Sequence, residues 1–392
     1  MPVIARIARA VFYAVLLLVI AIGLAITIVP RFLDRRYYEG PPSGHYDGAR
    51  FFNPDGDDTG APPADGSRAS FLWRQLTGDD DRPAWPDTVR VTPTRPPARV
   101  AGTRMLVTWI GHATVLVQTQ GLNILTDPVW AERAGPFGLG PRRVAAPGVR
   151  LEDLPRIDLV LVSHNHYDHL DQATLARLWQ RDRPTIVTSL GNDSVIAQTG
   201  ARATALDWQG AVQVKPGVRV IVTRNHHWGS RWFADRNRAL WSSFVVQLPA
   251  GGNLFFAGDT GFGDGGWPAE AAALGPIRLA LLPIGAFRFV QGQMVSGAHI
   301  GPAHAALVFE RLRAARALAI HWGTFRLSYE ARDTPPRMLA AAMRCLNRTG
   351  FDAAPIGGTM EVPVAGAVPP PRTTAPSAVL ACLDTPAVRA LR

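Results

Sequence analysis

Cysteine and lysine are the residues that this sequence has least of. Its two cysteines, Cys345 and Cys382, lie too far apart along the chain to form a short-spaced metal-binding pair. One optional disulfide does not define a scaffold, so a disulfide-stapled fold is excluded and the redox compartment stays open. Lys215 is the only lysine, although Lys and Arg together number 41 against 31 Asp and Glu, which gives a formal net charge of +10.

The basic charge is therefore carried by arginine, and two explanations are open. Codon usage in a genome rich in G and C enriches arginine without a functional cause. Attraction to an anionic surface, either lipid headgroups or nucleic acid, is the functional alternative. No RRM-like pattern, zinc-finger spacing or basic heptad region accompanies the charge, so we predict no nucleic-acid partner.

A long apolar stretch near the N-terminus contains no charged residue. Residues 10–29 read AVFYAVLLLVIAIGLAITIV, and about 20 residues at 1.5 Å each span a bilayer core of about 30 Å. A cleaved signal peptide is the competing interpretation, but the stretch is long for one and lacks a convincing A-x-A site. We predict an uncleaved single-pass anchor over residues 1–36, in a bacterial inner membrane. Arginines flank both ends, so the orientation stays open.

The rest of the chain divides into three parts by composition. Residues 37–97 are rich in Gly, Pro and Asp and predict an extended arm or linker that docks through aromatic side chains, namely Phe51, Phe52, Phe71, Trp73 and Trp85. Residues 98–362 alternate strand-like runs such as RIDLVLVSH with helix-like runs such as LDQATLARLWQR, which is typical of an α/β domain. Residues 363–392 are rich in Pro, Ala and Thr and predict a loose surface tail.

The strongest chemical signal is SHNHYDHLD, which directly follows the RIDLVLV strand. It places His164, His166, Asp168 and His169 within six positions. Imidazole and carboxylate are ligands that zinc binds at about 2.0–2.2 Å. On a tight strand-to-helix turn, the first two ligands can point one way and the last two another, which suits two adjacent metals. The alternative, a polar turn with Asp171 starting the helix, leaves three histidines unexplained.

This motif is the signature of the metallo-β-lactamase superfamily, which the sequence resembles from about residue 109 to residue 325. NHHWGSR, FFAGDTGFGD and AIHWGTF follow in the expected order. WIGHATVLV, ILTDPVW, LWSSFVV, LPIGAF and the upstream GHYDGARFFNP are similar to the N-acylphosphatidylethanolamine-hydrolysing phospholipase D group. The resemblance implies the αββα sandwich of the superfamily, an α/β fold, here preceded by the predicted transmembrane helix.

The same resemblance implies two zinc ions with a hydroxide between them as the nucleophile. The first zinc takes three histidines, the second takes an aspartate and two histidines, and one aspartate bridges both; these are, in that order, His164, His166 and His227, then Asp168, His169 and His321, then Asp259. His226 adjoins His227 and is the alternative third ligand of the first zinc, although the His-Trp pair of the family favours His227.

Asp168, Asp259 and His299 are the predicted catalytic residues. His299, in GAHIGP, matches a pocket histidine of the phospholipase D group, and its alternative is a turn residue near a helix start. We expect His112, in WIGHATV, to be structural or to orient a metal ligand.

Five residues are candidates for substrate contact on weaker grounds. Phe287, Phe289 and Met294 are placed to line an acyl-chain groove, with packing in the core as the alternative. Arg288 and Arg326 are candidate phosphate contacts, because guanidinium groups bind phosphate in a bidentate way.

The expected function is hydrolysis of N-acylphosphatidylethanolamine, or a related membrane lipid, to phosphatidic acid and an N-acylethanolamine. A homodimer is a further expectation from the family. The same zinc site also attacks carbonyl carbon, so a lactone, ester or amide hydrolase is the alternative. The anchor counts against a metal-dependent nuclease, and the complete ligand set counts against a non-enzymatic membrane scaffold.

Overall fold

The N-terminal segment forms one long helix. The computed structural model describes residues 2–33, 37–59, 82–232, 235–290, 292–367, 370 and 372–391. Helix α1 (Pro2–Leu33) contains the stretch Ile4–Ile28, whose mean hydropathy is 2.9 and of which no residue is buried. It is the one helix in the described part of the chain that is long and apolar enough to cross a membrane. The predicted anchor thus coincides with a helix of spanning length.

Two seven-stranded sheets form the body of the protein. The first contains β1 (Met105–Gly111), β2 (Thr114–Thr119), β3 (Leu122–Thr126), β4 (Leu159–Val162), β5 (Thr185–Ser189), β6 (Thr204–Leu206) and β14 (Thr359–Glu361). The second contains β7 (Ala211–Lys215), β8 (Val218–Thr223), β9 (Ser243–Gln247), β10 (Asn253–Phe256), β11 (Ile277–Pro283), β12 (Arg316–Ile320) and β13 (Phe351–Asp352). Their orders are β14-β1-β2-β3-β4-β5-β6 and β13-β12-β11-β10-β9-β8-β7.

Helices cover the outer face of each sheet. They are α2 (Gln172–Asp182), α3 (Asn192–Ala197), α4 (Trp267–Ala272), α5 (Pro302–Leu312), α6 (Thr334–Cys345), α7 (Pro376–Leu383) and α8 (Pro386–Arg389). Apolar residues of α2 and α3 pack on the first sheet, and those of α4 to α8 pack on the second. The layers therefore run helix, sheet, sheet, helix, which is the αββα sandwich predicted from the sequence.

Side-chain alternation along the strands explains why both sheets are covered on both faces. In β4, Leu159 and Leu161 enter the layer between the sheets, whereas Val160 and Val162 pack under the helices. Successive side chains of a strand point to opposite faces, so a strand that is apolar at every position must be buried on both. The near-continuous apolar run at this strand follows from that position in the middle of the first sheet.

The carboxyl ends of several strands meet at one edge of the sandwich. Strands β3, β4 and β5 pair in parallel, as do β10, β11 and β12. The strands β1, β3, β4, β8, β10 and β12 end immediately or shortly before the following polar residues, respectively: His112, Asp127, His164, His227, Asp259 and His321. This edge therefore gathers histidines and aspartates that are far apart in sequence.

The C-terminal segment differs from the prediction of a loose tail. Val379 and Leu383 of α7 and Val388 of α8 are buried in the cluster beneath the second sheet, and Cys345 forms a disulfide with Cys382. The Pro- and Ala-rich composition obscured these apolar residues, which recur at helical spacing and give the segment a face to bury.

The arm docks on the core where the structure describes it. Phe51 is 1% exposed and packs with Trp241, and the indole N–H of Trp85 donates to the Glu330 carbonyl at 3.0 Å. Phe71 and Trp73 lie outside the described residues.

Candidate metal centre

The SHNHYDHLD turn is fixed at both ends by secondary structure. It leaves β4 after Val162, and Asp171 begins α2 by accepting hydrogen bonds from the amides of Ala173 and Thr174 at 3.0 and 3.2 Å. The same carboxylate accepts from the Trp130 amide at 3.2 Å. Asp171 therefore holds the turn against a neighbouring loop, and the histidines between the strand and the helix are placed by both.

The first cluster combines two residues of this turn with two from the second sheet. Ligand atoms of His164, His166, His227 and Asp259 all lie within 4.8 Å of one another. The Asp259 turn can approach because Gly258 has a φ of +62°, and a Cβ there would lie 2.5 Å from the Ser163 Cβ. Any side chain at this glycine would push the aspartate away from the histidines.

The second cluster lies beside the first and contacts the aspartate of the first. Ligand atoms of His112, Asp168, His169 and His321 also lie within 4.8 Å of one another. An Asp259 oxygen is 3.1 Å from His169 Nε2, 3.0 Å from His321 Nε2 and 4.0 Å from His227 Nε2. Asp259 is therefore the residue that faces both clusters, which is the place of a bridging carboxylate.

Unpaired polar atoms show that the residues fit a metal. The Nε2 atoms of His166, His169, His227 and His321 and the Oδ1 atom of Asp259 are buried without a hydrogen-bond partner. A buried polar atom left unpaired costs about 1–3 kcal/mol. Five such atoms converging on one place are explained by cations that they would coordinate, and nitrogen and carboxylate oxygen are donors that zinc, iron and manganese all accept.

The protonation states favour ligation on one side of the centre. Burial lowers the pKa of His166 to about 3, and burial likewise holds the pKa of His164 and His227 well below the usual value. These imidazoles are therefore neutral near pH 7, which leaves a lone pair available for a cation. Burial opposes charge on Asp259 as well, but the nearby His169 and His321 keep its pKa well below the usual range, so it is a carboxylate.

Two of the ligand rings, those of His169 and His227, are oriented from behind by a second group. Asp127 Oδ2 lies 2.6 Å from His169 Nδ1, and His227 Nδ1 donates to the Ala298 carbonyl at 2.9 Å. His112 Nε2 lies 2.8 Å from Asp168. Such partners fix which ring nitrogen faces a metal. The orienting role expected of His112 matches this contact.

Asp127 was not singled out from the sequence, although ILTDPVW contains it. Its two oxygens accept hydrogen bonds from the Ser163 amide and hydroxyl at 2.7 and 2.6 Å, and its side chain is fully buried. The available signal was an aspartate directly after a buried strand, at the same edge as the motif histidines.

Backbone strain marks three residues of the centre. His112, Asp127 and His321 have φ values of 54°, 29° and 61°. Positive φ in residues other than glycine costs of the order of 1–3 kcal/mol and is concentrated at functional sites. The His321 amide donates to the His112 carbonyl at 2.9 Å, so two of these residues brace each other across the sandwich.

The structure separates the two neighbouring histidines. His227 faces the first cluster, whereas His226 turns away, with Nδ1 3.0 Å from Asp55 and Nε2 2.8 Å from Asp58. Asn53 of the same arm donates to the His227 carbonyl at 2.9 Å. The arm therefore contacts the ligand loop directly, which the sequence did not indicate.

His299 lies at the centre. Of the two phenylalanines predicted to line a groove, one lies near His299 and the other is buried in the core. His299 Nδ1 is 3.6 Å from Asp259, and burial lowers the pKa of His299 to about 4. The Phe289 ring is 6.0 Å from the His299 ring, but Phe287 is fully buried in the core. Arg288 is buried and its guanidinium group donates to the carbonyls of Gln293 and Leu391, which favours a structural role over the predicted phosphate contact.

Met294 and Arg326 are the remaining residues predicted to contact substrate, and neither belongs to a ligand cluster. Met294 is partly buried against the core beneath the second sheet, which is the packing alternative. Arg326 follows Phe325, whose ring meets that of His112 at 5.1 Å, and its role in phosphate binding stays a prediction.

Known proteins resemble this chain over the part that carries the centre. Residues 122–322 match a model of the beta-lactamase superfamily domain. The chain is 36% identical over 245 residues to the N-acyl-phosphatidylethanolamine-hydrolyzing phospholipase D 1 of Caenorhabditis elegans, covering 59% of this chain and 68% of that protein. It is 30% identical over 227 residues to a metal-dependent hydrolase of Pyrobaculum neutrophilum, covering 57% of this chain and 86% of that protein.

Solved structures share the fold. The isothiocyanate hydrolase from Delia radicum gut bacteria superposes with a TM-score of 0.52 at 21% identity, covering 66% of this chain and 100% of that one. A similarity at this level concerns the arrangement of sheets and helices rather than the substrate.

Proposed function

This chain belongs to the beta-lactamase superfamily and is a metal-dependent hydrolase, and on that premise we propose that it is a two-zinc phosphodiesterase acting on a membrane lipid. The proposed substrate is N-acylphosphatidylethanolamine or a close relative, cleaved to phosphatidic acid and an N-acylethanolamine. The observation that carries the proposal is Asp259, whose carboxylate faces both ligand clusters. The nematode relative, which is named for this reaction, supports the choice of substrate.

Each ligand cluster would hold one of the two ions. His164, His166 and His227 would hold one zinc, Asp168, His169 and His321 would hold the other, and Asp259 would contact both. When bound, a pair of metal ions supplies a nucleophile from water near neutral pH and neutralises charge on the attacking and leaving oxygens.

Neighbouring residues of the protein orient the ligand side chains and keep the site buried. Asp127 and His112 fix the orientation of His169 and of Asp168 from behind. Most of the ligand side chains are buried, which strengthens the electrostatic interactions inside the site. His299 adds a neutral imidazole with an unpaired Nδ1 beside Asp259, and this group is available to hydrogen-bond a phosphate oxygen.

A lipid substrate also agrees with the N-terminal helix. The stretch Ile4–Ile28 presents apolar side chains that the rest of the chain does not cover. A bilayer is the environment in which such a surface is stable. A single-pass anchor would confine the enzyme to the membrane that contains its substrate.

Product identity is the experiment that tests the proposal. Full-length, zinc-loaded protein in detergent is mixed with N-acylphosphatidylethanolamine, and both products are quantified by mass spectrometry. Release of both, abolished by a chelator and by His166→Ala, is the expected result. No release from protein that holds two metals would contradict the phosphodiesterase and direct the search to lactone, ester and amide substrates.

A further inference from the structure

Two neighbouring apolar side chains project from a loop of the catalytic domain. Phe137 is 85% exposed and Leu139 is 63% exposed. Outside α1, only two other large apolar side chains are exposed in the described part of the chain, Val295 at 37% and Val364 at 51%. Adjacent exposed apolar residues of this size mark an interaction surface more often than a single one does.

The loop that carries them is held by its own hydrogen bonds. Residues 133 and 142 pair as an antiparallel bridge, the Ala134 amide donates to the Pro141 carbonyl at 3.0 Å, and the Leu139 amide donates to the Pro136 carbonyl at 2.9 Å. The loop is thus closed at its base and turned at its tip, so its two apolar side chains are held outward rather than folded onto the core.

A tryptophan from another loop extends the apolar surface. The Trp232 ring meets the Phe137 ring edge-on, with centroids 5.7 Å apart. Asp235 shapes the turn that bears Trp232 by accepting from the Trp232 amide at 2.8 Å. Tryptophan is enriched at membrane–water interfaces, where one part of its ring is apolar and its N–H is polar.

The same aspartate ties this surface to the membrane helix. The Tyr37 hydroxyl donates to Asp235 Oδ2 at 2.9 Å. Helix α1 ends at Leu33, four residues before Tyr37, and four residues reach at most about 15 Å. The end of the apolar helix is therefore within about 15 Å of a residue bonded to the turn that carries Trp232.

We propose that residues 133–142 and Trp232 form a membrane-docking loop that inserts Phe137 and Leu139 into the lipid leaflet beside α1. The segment between α1 and Tyr37 is short, so a bilayer that holds α1 lies within reach of this face. We therefore assign a lipid bilayer, rather than another protein, as the partner of the loop. Arg133 and Arg142 are exposed at the base of the loop. Arg142 also pairs with Glu132 at 3.2 Å, and both guanidinium groups would lie at the level of the lipid phosphates when the apolar tip enters the leaflet.

The docking loop also lines a cavity beside the turn that carries the candidate ligands. A cavity of about 410 Å³ is lined by Gly135 and Gly138 of the loop together with Tyr167 and Arg231. Tyr167 lies between the ligands His166 and Asp168 in sequence. Insertion of the tip would place this cavity at the lipid surface, whichever bond of the substrate is cleaved.

Depth measurements on the full chain test the proposal without any turnover. Phe137→Cys is labelled with an environment-sensitive fluorophore and reconstituted in vesicles of phosphatidylcholine and phosphatidylglycerol. Val364→Cys is the matched control, because it is also exposed and follows β14, away from the ligand edge. The native cysteines form a disulfide and do not compete for the label.

The expected result is a blue-shifted emission at residue 137 that nitroxide-labelled lipid quenches, with neither effect at residue 364. Emission typical of water at both positions would overturn the proposal. A blue shift at residue 137 without quenching by the labelled lipid would also overturn it, since a second copy or another protein would then cover the loop.

A second comparison covers the case in which labelling disturbs the loop. Phe137→Ser combined with Leu139→Ser is expected to reduce turnover of vesicle-embedded substrate much more than turnover of the same substrate in detergent micelles. Val364→Ser should reduce neither. An equal loss in both assays would show that the side chains support the structure rather than docking. This comparison rests on the proposed function, whereas the depth measurement does not.

Discussion

Asp127 is expected to control metal affinity although it is not a predicted ligand. Asp127→Asn preserves its size but turns one acceptor into a donor. Three short contacts depend on its oxygens, two to Ser163 and one to His169 Nδ1, at 2.6 to 2.7 Å. Loss of an orienting partner costs about 10–100-fold in metal affinity, which corresponds to about 1.4–2.7 kcal/mol at about 1.36 kcal/mol per tenfold change.

The assay is competition for metal between the protein and a chromophoric chelator. Asp182→Asn is the matched control, because Asp182 is also buried and accepts the Ile157 amide at 2.9 Å but has no contact with either cluster. The control should lower the free energy of unfolding and leave metal affinity as it is. If Asp127→Asn binds metal as tightly as the unchanged protein, the orienting role of Asp127 is refuted.

Three other predictions concern the ligands, the protons and the arm. His166→Ala and Asp259→Ala should each abolish turnover while circular dichroism shows folded protein, and retained turnover would exclude these residues from the centre. Burial lowers the pKa of His321, but the nearby Asp259 carboxylate outweighs this effect and raises that pKa to about 9 in the metal-free protein. Metal binding near neutral pH must then displace a proton, and proton release measured by calorimetry in different buffers should decline as the pH rises through that pKa; constant release would contradict this assignment. Asn53→Ala leaves two buried groups unpaired and should lower the free energy of unfolding in urea by about 1–3 kcal/mol each. Asn53→Asp keeps the acceptor for Trp241 but turns a buried carboxylate oxygen toward the His227 carbonyl, so it should lower the free energy of unfolding at least as much.

The candidate ligands could be picked out from the sequence where they lie close together or in distinctive phrases. His164, His166, Asp168 and His169 follow one buried strand within six positions, so their convergence is local. Asp259 also lies three positions after an apolar strand, and both sheets place such strand ends at the same edge. The fold was predictable because the pattern of apolar residues along each strand, together with strand length, determines which faces of the sheets must be covered by other elements.

The contacts missed from the sequence are those between residues far apart along it. Asn53 and the His227 carbonyl are separated by 174 positions, and neither residue type signals the other. The choice between His226 and His227 depends on which way each side chain leaves an irregular loop, and the arm residues Asp55 and Asp58 complete that arrangement. No periodic pattern records such a contact.

The most direct test of a two-metal centre is anomalous diffraction from crystals of the zinc-loaded protein, recorded on both sides of the zinc absorption edge. We expect two peaks, one among His164, His166 and His227 and the other beside His169 and His321, with the aspartate that faces both clusters between them. A single peak at saturating zinc, or peaks away from these residues, would contradict a two-metal hydrolase.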